Sequence, residues 1–180
     1  LRPFGITTNV AGTFPYFLYD QTNALFFGSD WDIRYRHNDH LTSEVKISYV
    51  HARETENDQP FIEIPPLNIN YTLEFTKGQW GGGLNIEYMA EQWDAPDVIE
   101  PGEFQNGGVE VNPDEIFDFM AAPEAYFLLG GQVSYQHKYF DIQIRADNLL
   151  NRSYRRYTDR LRYFADAPGR NFSITLGANF

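Results

Sequence analysis

Asn171-Phe172-Ser173-Ile174-Thr175-Leu176-Gly177-Ala178-Asn179-Phe180 places an apolar residue at every even position from Phe172 to Phe180. The odd positions between them are Ser173, Thr175, Gly177 and Asn179. Successive side chains of a strand point to opposite faces, so this is a strand with one apolar and one polar face. The same period recurs upstream. Phe140, Ile142, Ile144 and Ala146 alternate with Asp141, Gln143, Arg145 and Asp147, and Leu67, Ile69, Tyr71, Leu73 and Phe75 with Asn68, Asn70, Thr72, Glu74 and Thr76. Leu84, Ile86 and Tyr88 oppose Asn85, Glu87 and Met89; Val45, Ile47 and Tyr49 oppose Glu44, Lys46 and Ser48; Trp31, Ile33 and Tyr35 oppose Asp32, Arg34 and Arg36. Phe127, Leu129, Val133 and Tyr135 alternate with a mixed set that ends in Gln132, Ser134 and Gln136.

A soluble sandwich alternates too, with its apolar face turned to a protein core. The connections separate the two readings. Tyr35–Leu41, Phe75–Trp80 and Tyr135–Phe140 are tight hairpins carrying turn residues such as Asn38-Asp39 and Lys77-Gly78. Between them lie long stretches at Arg53–Pro66, Trp93–Ala125 and Asn151–Arg170. Short turns at one rim and long loops at the other are the arrangement of an outer-membrane barrel. Tyr35, Phe75, Trp80, Tyr135, Phe140 and Phe180 all stand at the short-turn end of their strands, on the apolar parity. Amphipathic rings collect at the headgroup level of a bilayer, whereas on a soluble protein they would form an exposed patch.

Composition agrees. Aromatics make up 17% of 180 residues, yet mean hydropathy is −0.48. An apolar exterior, a polar lumen and aromatic girdles produce that combination. No apolar run reaches the length of a membrane helix. The absence of cysteine excludes disulfides and thiolate metal sites, and a net charge of −11 argues against nucleic acid. The chain begins at Leu1 without a signal peptide, which is expected of a processed protein or a fragment. Phe17, Tyr19, Leu25, Phe27, Trp31, Ile33 and Tyr35 share one parity, so Tyr16–Arg36 reads as one long strand and the total as seven. If Asp20-Gln21-Thr22-Asn23 is instead a turn, there are eight strands, and the size suits a complete small barrel with a structural or adhesive role. Intact bacterial barrels have even strand numbers, so seven strands imply missing sequence.

Asp147-Asn148-Leu149-Leu150-Asn151-Arg152-Ser153-Tyr154, followed by Ala167-Pro168-Gly169-Arg170-Asn171-Phe172 and a terminal Phe180, resembles the C-terminus of TonB-dependent outer-membrane receptors. Phe27-Gly28-Ser29-Asp30 looks like that family's Gly-x-Glu strand with Asp30 in place of Glu, and Ile64-Pro65-Pro66 like its Ile-Pro-Pro segment. The resemblance covers residues 14–180. It implies an all-β antiparallel transmembrane barrel of about 22 strands with a plugged lumen. Residues 1–180 would then be the C-terminal portion, the last seven or eight strands, with the plug domain absent from this chain. It further implies a location in the cell outer membrane and energised uptake of a ferric siderophore or other metal chelate. The implied partners are the TonB complex (through a missing N-terminal region), outer-membrane lipid and lipopolysaccharide, and the barrel-assembly machinery, which would read Phe180. Asn148, Leu149, Tyr154, Pro168, Gly169, Arg170 and Phe180 carry the motif in a structural role. Pro168 cannot donate to a ladder and suits the start of a strand, and Arg170 is placed to pair with a strand carboxylate.

Arg152, Arg155, Arg156, Tyr157 and Arg160, interleaved with Tyr154, Arg162 and Tyr163, are the candidate ligand-contacting residues, because guanidinium groups pair with the carboxylates and phosphates of an anionic chelate or lipopolysaccharide. The competing expectation is that they pair with the neighbouring acidic loop. That loop holds Asp94, Asp97, Glu100, Glu103, Glu110, Asp114, Glu115 and Asp118, with no Lys or Arg between Lys77 and Lys138. It reads as a solvated surface, since its spacing matches no calcium loop. His37, His40, His51 and His137 do not form a ligand set. His51 with Glu54 or Asp58 is a loose catalytic candidate; no nucleophile or phosphate-loop motif accompanies it, so no enzyme activity is expected, and no metal or cofactor.

Overall fold

The structure, a computed structural model, describes residues 2–9, 12–18, 21–96 and 122–178. Nine strands follow one another: β1 (Arg2–Asn9), β2 (Gly12–Leu18), β3 (Ala24–Asn38), β4 (Leu41–Glu54), β5 (Asn68–Lys77), β6 (Trp80–Met89), β7 (Tyr126–Gln136), β8 (Phe140–Asp147) and β9 (Asn171–Ala178). β1 and β2 pair as a hairpin, and β3 to β9 form one seven-stranded sheet in which each strand pairs antiparallel with its sequence neighbour. β3 and β9 are its edges. No helix among the described residues is long and apolar enough to cross a membrane.

Register carries the parity argument across the sheet. Ile33, Val45, Tyr71, Ile86 and Leu129 stand in one cross-strand row. Tyr35, Ser43, Leu73, Leu84, Gly131, Ala146 and Phe172 stand in another on the same face. The opposite face holds the row Arg34, Glu44, Thr72, Asn85, Gly130 and the row Thr42, Glu74, Gly83, Gln132, Arg145, Ser173. A one-residue slip at any pairing would exchange the faces. Five of the six pairings keep one register throughout, and β3–β4 shifts only at its turn end, between Arg36 and Asn38. Polar neighbours reinforce the register: Arg34 Nη2 lies 2.9 Å from Glu44 Oε1 and Lys46 Nζ 2.9 Å from Glu44 Oε2.

No second layer covers the apolar face within the described residues. Trp31, Phe127, Ile144 and Leu176 are 60%, 55%, 49% and 71% exposed, and Ile33, Leu84, Tyr88, Val133, Phe172 and Ile174 are also exposed. Burying one such side chain stabilises by about 2 kcal/mol, so leaving these ten roughly half uncovered forgoes on the order of 10 kcal/mol in water. An acyl-chain environment restores that. The few buried apolar side chains, Ala52, Ile62, Tyr126, Leu128 and Tyr157, belong to strand ends and loops at the long-loop rim.

The sorting of connections matches expectation. β3–β4, β5–β6 and β7–β8 join through short turns, and β4–β5, β6–β7 and β8–β9 through long segments. Gly78, at φ +61°, turns the chain between Lys77 and Trp80. At Gly28 a Cβ would run into the Tyr49 carbonyl oxygen, so only glycine permits this approach of β3 to β4. Five of the six girdle aromatics are described, and Phe180 lies outside the described residues. Trp80 meets Tyr135 at 4.8 Å between ring centroids, and Tyr135 meets Phe140 at 6.2 Å.

The continuous strand expected over Tyr16–Arg36 does not form. β2 ends at Leu18, β3 begins at Ala24, and residues 21–23 belong to neither. Their polar groups bond sideways instead. Thr22 Oγ1 donates to Glu54 Oε1 at 2.7 Å, and Thr55 N to the Asn23 carbonyl at 3.0 Å. The parity shared by Phe17 with Leu25 is therefore not evidence of one ribbon. Seven strands make the main sheet, but they run from Ala24, and the stretch before them is a separate hairpin rather than an eighth member.

Candidate functional site

The long-loop rim is where side chains converge, and one buried amide organises it. Asn148 follows β8 at φ +47°, a left-handed conformation that asparagine tolerates better than most residues. Its Oδ1 accepts from Arg152 N at 2.9 Å, while its Nδ2 donates to the Arg152 carbonyl at 2.8 Å and, more weakly, to the Pro168 carbonyl at 3.4 Å. One side chain thus ties the beginning of the 148–170 loop to its end. Asn151, at φ +52°, does the same one turn later: its Oδ1 accepts from Arg170 N at 3.0 Å. A Cβ on Gly169 would lie 2.9 Å from that Oδ1. Leu149 N donates to the Leu129 carbonyl at 2.7 Å, which fastens the clasp to β7. Arg170 makes no ion pair with a strand carboxylate among the described residues; it acts here through its backbone N–H.

From that clasp the loop folds over the polar face of the sheet. Tyr126 and Leu128 sit on the polar parity of β7, opposite Met89 and Glu87 of β6, and are buried. Tyr154 packs on Tyr126 at 4.7 Å between centroids. Arg156 Nη2 stands 3.5 Å from Glu87 Oε2 and its guanidinium 5.9 Å from the Tyr154 ring. Burial alone would pull the Arg156 pKa down, but the Glu87 charge and the Tyr154 hydroxyl outweigh it and hold it above its ordinary value. Farther along, Asp159 Oδ1 caps the short 3₁₀ helix Arg160–Tyr163 by accepting from Leu161 N at 2.9 Å. Arg160 then reaches the β4–β5 connection, where Nε and Nη2 donate to the two oxygens of Glu63 at 2.8 and 3.1 Å. The loop therefore bridges from β8 across β6 and β7 to the β4–β5 connection.

The remaining candidates have defined neighbours. Arg155 Nε donates to Asp166 Oδ1 at 2.7 Å, and Ser153 Oγ donates to the other oxygen of Asp166. Those two hydrogen bonds, Ser153's first, lower the Asp166 carboxyl below the usual carboxylate range. Arg152 lies 3.9 Å from Glu124, and Tyr157 is buried beneath the Arg162 guanidinium at 4.5 Å. Arg152, Tyr154, Arg155 and Asp166 line a cleft of about 190 Å³ together with Tyr126 and Glu124. Of the expected pairing with the acidic loop, only Arg152–Glu124 is seen among the described residues. Arg155, Arg156 and Arg160 pair with Asp166, Glu87 and Glu63. Asp97 to Asp118 lie outside the described residues.

Sequence reasoning missed Glu63, Glu87 and Asp166 as partners, and Tyr126 as the platform. Tyr126 and Leu128 were the available signal: two bulky apolar residues on a face otherwise holding Gln132, Ser134 and Gln136. The His51 pairings with Glu54 or Asp58 are replaced. His51 Nδ1 lies 3.2 Å from Asp94 Oδ2, while Asp58 holds Arg53 at 3.0 Å. Gln92 positions Asp94: its Nε2 donates to the Ile64 carbonyl at 2.7 Å, and its Oε1 accepts from Asp94 N at 3.2 Å. Among the described residues no three metal-ligating side chains gather.

Solved structures share this architecture. The copper transporter OprC superposes over 95% of this chain with a TM-score of 0.70 at 15% identity. A variant of the ferric enterobactin receptor PfeA from Pseudomonas aeruginosa covers 87% at a TM-score of 0.64 and 16% identity. The fold is that of part of an antiparallel outer-membrane β-barrel. The ferric yersiniabactin uptake receptor FyuA from Yersinia pestis covers 84% at a TM-score of 0.53 and 12% identity. The chain spans about a quarter of the length of these proteins: 25%, 22% and 22%. No family model and no curated protein matches the sequence. The likeness is one of fold.

Proposed function

We infer that this chain is part of an outer-membrane, TonB-dependent receptor that takes up a scarce nutrient, and that its cargo is a ferric siderophore or another metal chelate. The observation that carries the reading is the seven-stranded sheet with one uncovered apolar face, superposable on three uptake proteins of which one is a copper transporter and two take ferric chelates. In this reading the apolar face meets lipid, the polar face lines the lumen, and the short turns face the periplasm. The 148–170 loop lies at the mouth and offers Arg152, Arg155, Arg156 and Arg160 to an anionic ligand or to lipopolysaccharide, with Tyr157 buried beneath Arg162 as their support. A plug and a TonB-contacting segment would be supplied by sequence outside residues 1–180, and the barrel-assembly machinery would insert the whole. The role is transport and not catalysis.

A strain lacking the gene, grown on single sources of iron, copper or cobalamin, tests this. The expected result is a growth defect on one source, restored by a plasmid copy only while TonB is present. Normal growth on every chelate, or restoration without TonB, would contradict it.

A further inference from the structure

Charge is distributed unevenly between the two rims. The three long connections carry many more carboxylates than guanidiniums, in keeping with the net charge of −11. The three short turns are the reverse: Arg36, Lys77 and Lys138 against Asp39 alone, with three of the four histidines, His37, His40 and His137. Arg36 and Asp39 neutralise each other at 3.0 Å, and Arg36 stands on the polar parity. Lys77 and Lys138 are exposed and have no carboxylate partner among the described residues; Lys138 rests over the Tyr139 ring at 5.1 Å. Asp141 of β8 stands in register with Gln136 and Gly177, on the polar face of the sheet.

The placement is periodic. Each strand running toward the short turns ends in an aromatic residue and, two positions on, a basic or imidazole one: Tyr35 and His37, Phe75 and Lys77, Tyr135 and His137. Residues two apart on a regular strand share a face, so Lys77, the last residue of β5, extends the apolar face about 6.6 Å beyond Phe75, while His37 lies at the β3–β4 register shift and His137 just past the end of β7. The His37 ring sits 4.8 Å from Tyr35, with Nε2 2.9 Å from Ser43 Oγ on the same face, and the His137 ring sits 4.8 Å from Phe140. Aromatics at the acyl–headgroup boundary and cations one step outward match the depth profile of a phospholipid, whose phosphate lies just outside its glycerol.

We propose that the short-turn rim is a binding surface for anionic phospholipid headgroups, with two principal contacts: Lys77, two positions beyond Phe75 on β5, and Lys138, exposed in the β7–β8 turn beside Tyr139. The inference rests on the membrane-barrel reading, and its test separates the two. The complete gene product, extracted in detergent, is titrated with an equimolar mixture of phosphatidylglycerol and phosphatidylethanolamine of identical acyl chains, and bound lipids are counted by native mass spectrometry. The expected result is a preference for phosphatidylglycerol. It falls on the order of fivefold for each lysine removed in Lys77→Gln and Lys138→Gln, and is kept in the Lys77→Arg/Lys138→Arg variant. Equal binding of both lipids, or a preference unchanged in the double glutamine variant, overturns the inference while leaving a lipid-facing barrel in place. Binding of neither lipid overturns both.

Discussion

Replacing Asn148 by alanine removes the clasp of the 148–170 loop at one point. Asn148 is 5% exposed, and its amide makes two short hydrogen bonds, to Arg152 N at 2.9 Å and to the Arg152 carbonyl at 2.8 Å. Each contributes about 1 kcal/mol net, and leaving the buried partners unsatisfied adds roughly 1 kcal/mol more. The φ of +47° costs alanine about 1 kcal/mol beyond what asparagine pays. The loop should therefore open about 3 to 4 kcal/mol more easily, a few-hundredfold gain in amide exchange at Arg152, Asn151 and Ala167. Asn148→Gly removes the hydrogen bonds without the strain and should recover about 1 kcal/mol of that loss. Hydrogen exchange on the complete gene product in detergent reads each amide. Unchanged protection at Arg152 in Asn148→Ala, or equal effects of alanine and glycine, would refute the reasoning.

Three further outcomes follow from the geometry. Gly28→Ala drives a Cβ into the Tyr49 carbonyl and should weaken β3–β4 pairing by about 1 to 3 kcal/mol, seen as a lowered unfolding midpoint; an unchanged midpoint would mean the strands can separate freely there. The Arg160–Glu63 pair is partly exposed, so reversing both charges together should restore all but about 0.5 kcal/mol of what either reversal alone costs, and a coupling of several kcal/mol would show the pair to be more deeply desolvated than it stands. The Asp166 carboxyl is lowered in the fold, so its bonds to Ser153 and Arg155 hold fully above the ordinary carboxylate value of 3.8 and are lost as pH falls through the lower folded value. Amide exchange at Ala167, which donates to the Tyr154 carbonyl, corrected for its intrinsic pH dependence, should stay protected at neutral pH and loosen only in that acid range, whereas in Asp166→Asn it should be fast throughout; loosening of the unmodified loop between pH 5 and 7 would contradict this.

The fold was legible because a strand states its two faces in a period of two, and Phe172 to Phe180 or Leu67 to Thr76 need no partner to be read. Rim sorting was legible for a similar reason: turn chemistry at Lys77-Gly78 is local. What failed was the stretch around Gln21-Thr22-Asn23, where shared parity on both sides concealed a break held by bonds to Glu54 and Thr55, more than thirty residues away. The rim followed the same division. Asn148 and Gly169 stood in a recognisable motif, but the ties that place the loop over the lumen face, Arg156 to Glu87 and Arg160 to Glu63, join residues 69 and 97 positions apart. Nothing in a one-dimensional pattern pairs those charges until the register of six strand pairings is known.

The central claim is that the apolar face of the sheet lies against acyl chains. Nitroxide labels placed one at a time from Ile69 to Glu74 on β5, an interior strand, measure it in proteoliposomes through collision with oxygen and with a water-soluble nickel chelate. Oxygen should dominate at Ile69, Tyr71 and Leu73, and nickel at Asn70, Thr72 and Glu74. Nickel access in both phases, or protection from both reagents at the odd positions as in a protein core, would contradict the account.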